Sequence, residues 1–114
     1  ASLGMIGNKY TVDWEPYTQV DWGDRVRSGV ELPKLRALGE KIVTLPEGYV
    51  LHPRVQQVYA NRAKMVAGEM PLDWGCAETL AYATLLSDNF SVRLCGQDAG
   101  RGTFFHRHAV LHHQ

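Results

Sequence analysis

Only one segment of this sequence alternates in the manner of a β-strand. Residues 90–95 read FSVRLC, which sets Phe90, Val92 and Leu94 on one face and small or polar side chains on the other. A single strand can neither pair its backbone groups nor bury both of its faces, and no other segment supplies a partner. We therefore expect a piece of a larger α/β protein. Strands borrowed from a second copy are the alternative.

The strand segment is preceded by three helical patterns. Apolar residues recur at three- and four-residue spacing after Pro33 and stop at Pro46, and a second run begins near His52 or Pro53 and stops at Gly68. These two runs predict a helical hairpin. A third helix, rich in alanine and leucine, is expected over about residues 76–87. One face of the second helix is defined by Val55, Val58, Tyr59, Arg62, Met65 and Val66.

Most polar residues of the helices have simple structural interpretations. We expect Arg54, Arg62 and Lys64 on the solvated face of the hairpin, and His52 as a helix-start residue. Glu78 lies early in the third helix, where the helix dipole favours a carboxylate. None of these residues by itself indicates catalysis.

The first 31 residues are predicted to form an irregular N-terminal arm. Glycine and proline interrupt the segment repeatedly, and its aromatic residues include Trp14 and Trp22. Such large rings could anchor an extended arm against a surface, because they bury much area at little entropic cost. A poorly ordered leader is the equally weighted alternative.

Composition narrows the class of protein. Lysine plus arginine and aspartate plus glutamate both number 12, so the formal charge is zero and the basic footprint of nucleic-acid binding is missing. No apolar run is long enough for a membrane span, and the N-terminus has no secretion-signal pattern. The two cysteines, Cys76 and Cys95, are predicted to be reduced and buried in a cytoplasmic protein.

The densest set of chemically able groups follows the strand segment. Residues 96–113 hold four of the five histidines, two arginines, one aspartate and three glycines. The histidine spacing matches no strong zinc signature, and the glycines match neither a P-loop nor a dinucleotide fingerprint. We therefore predict no metal site, although a stand-alone histidine-rich metal or interaction module remains an alternative. Asp98 and Arg101 are expected to anchor the loop by a charge-assisted hydrogen bond, with ligand contact as the alternative.

Three stretches carry a family resemblance: RVQQVYANRAKM at 54–65, LDWGCAETLAYA at 72–83 and VRLCGQDAGRGTFFHRHAV at 92–110. They resemble the thiamine-diphosphate-dependent decarboxylating component of the 2-oxoglutarate dehydrogenase complex. The resemblance implies an α/β fragment, in which a helical hairpin leads into the first helix and strand of a pyrimidine-binding domain. The implied divisions are an arm over 1–31, a helical connection over 32–70 and an incomplete pyrimidine-binding domain over 71–114.

The resemblance also implies roles for loop residues. His106 is expected to contact the substrate, His108 to orient His106 from behind, and Gln97 and Asp98 to lie near the cofactor edge. Thiamine diphosphate and magnesium are the implied cofactors of the parent enzyme. The diphosphate and magnesium motif and the activating glutamate are not found in this sequence, so we expect no tight cofactor binding by the fragment.

The implied parent decarboxylates 2-oxoglutarate and passes the succinyl group to lipoamide. Its expected partners are a second copy of itself and a dihydrolipoyl succinyltransferase core, in the bacterial cytoplasm, without nucleic acid or membrane. The fragment alone is expected to be inactive and could self-associate through its exposed sheet edge. A related 2-oxo-acid dehydrogenase with another substrate is the enzymatic alternative.

Overall fold

The structure, a computed structural model, describes residues 13–114. These residues form a short 3-10 helix, Glu15–Tyr17, followed by three α-helices: α1 (Leu32–Val43), α2 (Pro53–Ala67) and α3 (Trp74–Ser87). The buried centre lies where the three α-helices meet. Its buried members are Met65, Cys76 and Leu80, with Leu35, Ile42 and Met70 packed against them.

The hairpin predicted from apolar spacing is confirmed in α1 and α2. The two helices cross closely at Gly39, since a Cβ atom there would lie 2.5 Å from Cγ2 and 2.6 Å from Cγ1 of Val66. Any side chain at this position would have to displace Val66, so glycine suits the crossing despite its poor helix propensity.

The ends of α2 and α3 follow from their capping residues. His52 Nδ1 accepts a hydrogen bond from the Arg54 amide at 3.2 Å, which confirms His52 as the helix-start residue. Gly68 ends α2 in the left-handed conformation at φ 81°, as predicted. In α3 the Asp73 carboxylate accepts from the Cys76 amide at 2.7 Å, so the helix begins at Trp74, two residues earlier than expected.

The predicted strand is not formed: residues 90–95 contain no β-strand, and neither does any other part of the described range. Phe90 and Leu94 remain 45% and 39% exposed. The physical reason is that a single extended segment has no neighbouring strand with which to form backbone hydrogen bonds. For the same reason Cys95 is exposed, contrary to prediction, whereas Cys76 is buried as expected.

The described part of the N-terminal arm does not use its tryptophans as anchors. Trp22 is 98% exposed and Trp14 is 69% exposed. The arm instead contacts the remaining chain through Tyr17, whose ring lies 6.3 Å from the ring of Phe90 in an edge-on arrangement. The part of the arm prediction that concerns residues 1–12 lies outside the described residues.

The C-terminal residues 96–114 return over α2 and the connection that precedes it. The Gln114 amide donates to the Val50 carbonyl at 2.9 Å, and the Val50 amide donates to His113 Nδ1 at 3.0 Å. The Tyr49 hydroxyl donates to the Leu111 carbonyl at 2.9 Å. The loop rich in polar residues is thus fixed at its far end by the connection between α1 and α2.

No helix in residues 13–114 combines the length and the apolar character that a membrane crossing needs.

The close crossing at Gly39 predicts that a larger residue there destabilises the protein. Gly39→Ala should lower the free energy of unfolding by about 1–3 kcal/mol, because overpacking against Val66 outweighs the gain in helix propensity. Val66→Ala in the same protein should restore part of the loss. Urea denaturation measures both, with Gly29→Ala as the control, since a Cβ there meets nothing within 4 Å. A stabilised Gly39→Ala protein would contradict the close crossing.

Candidate functional site

Arg62 is the residue that attaches the C-terminal loop to the helices. It is 1% exposed, and its Nη2 donates to the carbonyls of His106 at 2.8 Å and Arg107 at 2.7 Å. One turn earlier on α2, the Tyr59 hydroxyl donates to the His108 carbonyl at 2.9 Å. Three consecutive loop carbonyls are therefore satisfied from one face of α2, as buried backbone acceptors require.

The expectation that Arg62 lies on the solvated face is wrong. Its position three residues after Tyr59 and three before Met65 places it on the inner face of α2, and both of those residues are buried. An irregular loop has carbonyl groups that no helix or sheet satisfies, and a guanidinium group can serve several of them at once. The available sequence signal was an arginine at an apolar position of the helical repeat.

Two glycines allow the backbone and ring of His106 to lie close to their neighbours. A Cβ at Gly75 of α3 would lie 2.2 Å from the His106 carbonyl oxygen. A Cβ at Gly102 would lie 2.4 Å from His106 Cε1, and Gly102 has φ 81°, which side chains rarely adopt. His106 is thus enclosed between the start of α3 and its own loop.

Glu78 is the carboxylate that faces this loop from α3. Its Oε1 accepts from Arg107 Nε at 2.7 Å and from the Tyr82 hydroxyl at 2.7 Å, and its Oε2 lies 3.6 Å from His106 Nε2. The hydrogen bond from Arg107 is the main cause that lowers the pKa of Glu78, and the Tyr82 bond adds to it. The same bond raises the pKa of Tyr82, whose hydroxyl proton the carboxylate holds.

The interpretation of Glu78 as a helix-dipole residue is therefore incomplete. The first turn of α3 contains no acidic residue, and Glu78 lies beyond it. Apart from Tyr82 on the next turn of α3, its partners are the side chains of His106 and Arg107, which lie 28 and 29 positions later in the sequence. No local sequence pattern indicates a contact between residues so far apart in the chain.

An open groove lies beside His106 and Glu78. Its wall is mostly apolar, and two large rings at its edge, Trp74 and Phe104, are 89% and 85% exposed. The groove has a volume of about 660 Å³ and is lined by Trp74, Ala77, Glu78, Ala81, Phe104 and His106. A few polar groups in an apolar concave surface are typical of a ligand site.

His108 lies on the other side of the loop from this groove. It lines a second cavity of about 810 Å³, formed with the beginning of α2, and its Nε2 lies 2.8 Å from the Phe105 carbonyl oxygen. The structure therefore does not bring the imidazoles of His106 and His108 together. The roles expected for them stay predictions.

Gln97 and Asp98 occupy an exposed turn. The predicted anchor is confirmed: Asp98 Oδ2 lies 2.9 Å from Arg101 Nη2, and the Asp98 carbonyl accepts from the Gly102 amide at 2.7 Å. Asp98 has φ 54°, a conformation that aspartate tolerates better than most residues. The expected cofactor contacts of Gln97 and Asp98 stay predictions.

Residues 13–114 contain no group of three or more histidine, cysteine or acidic side chains placed to hold a metal ion. The histidines of the loop lie in three places, and of the four only His108 and His112 line the same cavity. His113 contacts Tyr49, with ring centroids 5.2 Å apart, whereas His106 and His108 line different cavities.

Known proteins resemble this chain in two ways: one family matches its C-terminal part, and individual proteins match nearly its whole length. The family described as transketolase, pyrimidine binding domain, matches residues 70–114, which include α3 and the loop. Over 112 residues, or 98% of the chain, the sequence is 51% identical to a 2-oxoglutarate dehydrogenase E1 component of Cupriavidus necator.

Two further E1 components give the same result. The chain is 52% identical over 105 residues to the 2-oxoglutarate dehydrogenase E1 component of Coxiella burnetii, and 48% identical over 103 residues to that of Haemophilus influenzae. The matches cover 92% and 90% of the chain but 11% of each relative, and the Cupriavidus match covers 12%. The resemblance predicted from the sequence is thus confirmed. The chain spans only about one eighth of the length of these curated relatives.

Removal of Arg62 should release the loop. Arg62→Ala leaves buried carbonyls unsatisfied, at a cost of roughly 1–3 kcal/mol for each. We expect a clear fall in the free energy of unfolding and faster amide exchange at Arg107, His108 and Ala109. Arg54→Ala, an exposed arginine on the same helix, should change stability by less than about 0.5 kcal/mol. Equal effects of the two substitutions would contradict the anchoring role.

The lowered pKa of Glu78 predicts a pH dependence of stability. A depressed pKa in the folded state stabilises the fold above the ordinary glutamate pKa of about 4.3, and this contribution is lost as pH falls through the folded-state pKa. Glu78→Gln should therefore be less stable than the natural sequence at pH 7 and converge with it in acid. Urea denaturation across pH measures the difference. Glu40→Gln, on an exposed part of α1, should show no such convergence.

Proposed function

We propose that this chain is a segment of a 2-oxoglutarate dehydrogenase E1 component. The parent would decarboxylate 2-oxoglutarate and pass the succinyl group to lipoamide. The observation that carries the proposal is the identity of about one half over nearly the whole chain to E1 components from several bacteria. The activity belongs to the parent in this proposal, because the chain is much shorter than the relatives.

The described residues fit one wall of a thiamine diphosphate site. The groove offers an apolar surface with one imidazole and one carboxylate, which suits a partly apolar ring with a few polar atoms. The described residues contain no group of three or more histidine, cysteine or acidic side chains placed to hold a metal ion. When bound in the parent, thiamine diphosphate would supply the carbanion chemistry of decarboxylation. Diphosphate and magnesium would be held by other parts of the parent.

His106 is the proposed substrate contact. His106 lines the groove and its Nδ1 is buried, so Nε2 is the ring nitrogen open to a ligand. An imidazole N–H there would donate a hydrogen bond to the carboxylate or carbonyl oxygen of a 2-oxo acid. Gln97 and Asp98 are proposed to lie at the cofactor edge. Their exposure leaves them accessible to a neighbouring part of the parent. His108 is proposed to orient His106 from behind.

The proposal also gives residues 90–95 a partner. In the parent, we propose, this segment is the first strand of an α/β pyrimidine-binding domain that begins near residue 71, after a helical connection over 32–70 and an arm over 1–31. The alternating pattern and the partly exposed Phe90 and Leu94 support this assignment. Further strands of the parent would cover these side chains.

The proposed assembly and compartment follow from the family. We propose that the parent is a homodimer bound to a dihydrolipoyl succinyltransferase core in the bacterial cytoplasm. The E1 designation of the relatives and the two free thiols, Cys76 and Cys95, are in keeping with this proposal.

The function can be tested at two lengths of chain. The purified 114-residue chain, given thiamine diphosphate and magnesium, should release no carbon dioxide from 2-oxoglutarate, because it holds only part of a site. The full-length protein that contains this segment should decarboxylate 2-oxoglutarate, and His106→Ala should lower kcat/KM by at least about tenfold. Turnover by the short chain, or an inactive full-length protein, would overturn the proposal.

A further inference from the structure

Glu78 is held in one orientation by two hydrogen bonds to the same oxygen. Arg107 Nε and the Tyr82 hydroxyl both donate to Oε1, each at 2.7 Å. The second oxygen, Oε2, is thereby left facing His106 Nε2 at 3.6 Å. The Glu78 and His106 side chains are 24% and 31% exposed, so both are partly shielded from solvent.

The Cε1 side of the His106 ring packs against Gly102. A Cβ at Gly102 would be 2.4 Å from Cε1, 2.6 Å from Nδ1 and 3.0 Å from Nε2. Of the two ring nitrogens, Nδ1 is buried without a hydrogen-bond partner among the described residues, whereas Nε2 faces Glu78. Nε2 is the ring nitrogen that the groove can reach.

The distance between Glu78 and His106 leaves the imidazole available to a ligand. A separation of 3.6 Å is longer than a hydrogen bond. A proton on Nε2 would therefore be attracted to the carboxylate and still be free to bond a ligand. Arg107 lies against the same carboxylate and offsets its negative charge. An anionic substrate in the groove is therefore not strongly repelled by Glu78.

We propose that Glu78 is a positioning residue for His106, and that its carboxylate fixes the imidazole with Nε2 toward the groove between Trp74 and Phe104. This inference rests on the proposed function, in which His106 binds the 2-oxo acid. Glu78 itself touches no substrate in this account. It acts through the orientation of its neighbour.

A double-mutant cycle in the full-length E1 component separates positioning from general structural support. Glu78→Gln keeps the size of the side chain and removes its charge, and it should lower kcat/KM for 2-oxoglutarate by about tenfold to a hundredfold. In a His106→Ala background the same substitution should have almost no further effect, since the group that Glu78 positions is gone. Glu40→Gln, the same chemical change on an exposed part of α1, should leave kcat/KM unchanged.

The outcomes distinguish the two proposals. If His106→Ala lowers kcat/KM and the double variant falls by the product of the single effects, the positioning role of Glu78 is overturned and the substrate role of His106 stands. If His106→Ala keeps full kcat/KM, both are overturned.

Nuclear magnetic resonance of the 114-residue chain tests the geometry without activity. The His106 Hε1 proton should show cross-relaxation to the Gly102 α-protons, and Glu78→Gln should weaken it. Tyr82→Phe, which keeps the Glu78 charge, should largely retain it. An unchanged signal in folded Glu78→Gln protein would overturn the proposal.

Discussion

The bonds from the Arg62 guanidinium to two loop carbonyls are the interaction on which the rest of this structure depends. Residues 96–114 contain no helix or strand, so their backbone groups have few regular partners. Arg62 supplies donors to the carbonyls of His106 and Arg107, and Tyr59 supplies the donor to His108. The position of His106 is therefore set by α2 rather than by the loop alone.

Three residues of the loop other than glycine have an unfavourable backbone conformation. Asp98, Phe105 and His108 all have positive φ, which is unusual for residues other than glycine. Such conformations persist when surrounding contacts overdetermine them, and they are concentrated at functional sites. Here the contacts are specific: the Arg101 guanidinium lies 2.9 Å from Asp98 and its Cζ lies 4.1 Å from the centroid of the Phe105 ring. The residues with positive φ thus lie in the same loop as the candidate site, as is common for functional sites.

Much of the helical architecture could be predicted from the sequence, because its determinants are local. Apolar spacing gave the hairpin, and His52 and Gly68 marked the two ends of α2 through their capping chemistry. The strand could not form as predicted, since a β-ladder depends on a partner segment and residues 90–95 have none in the described chain. The local alternation shows that residues 90–95 can form a strand. It does not identify the segment with which that strand would pair.

The candidate site was predictable only in part, for a similar reason. The family resemblance directed attention to His106, and the groove beside it supports that choice. The two residues that hold the site, Arg62 and Glu78, were both given local explanations from the sequence, as a solvated helix residue and a dipole-favoured carboxylate. Their partners in the loop lie 28 to 45 positions later in the chain. Contacts between residues so far apart in the chain are determined by tertiary packing, and no motif in this sequence predicts them.

The most direct test of this account is the state of the Arg62 side chain in solution. In a specifically labelled protein, nuclear magnetic resonance of the guanidinium should show slow exchange of the Nη2 protons with water, and slow rotation about the Nε–Cζ bond. Cross-relaxation should connect these protons to the backbone of residues 106–108. Rapid exchange and free rotation, in a chain whose helices are intact, would contradict the claim that Arg62 holds the loop in place.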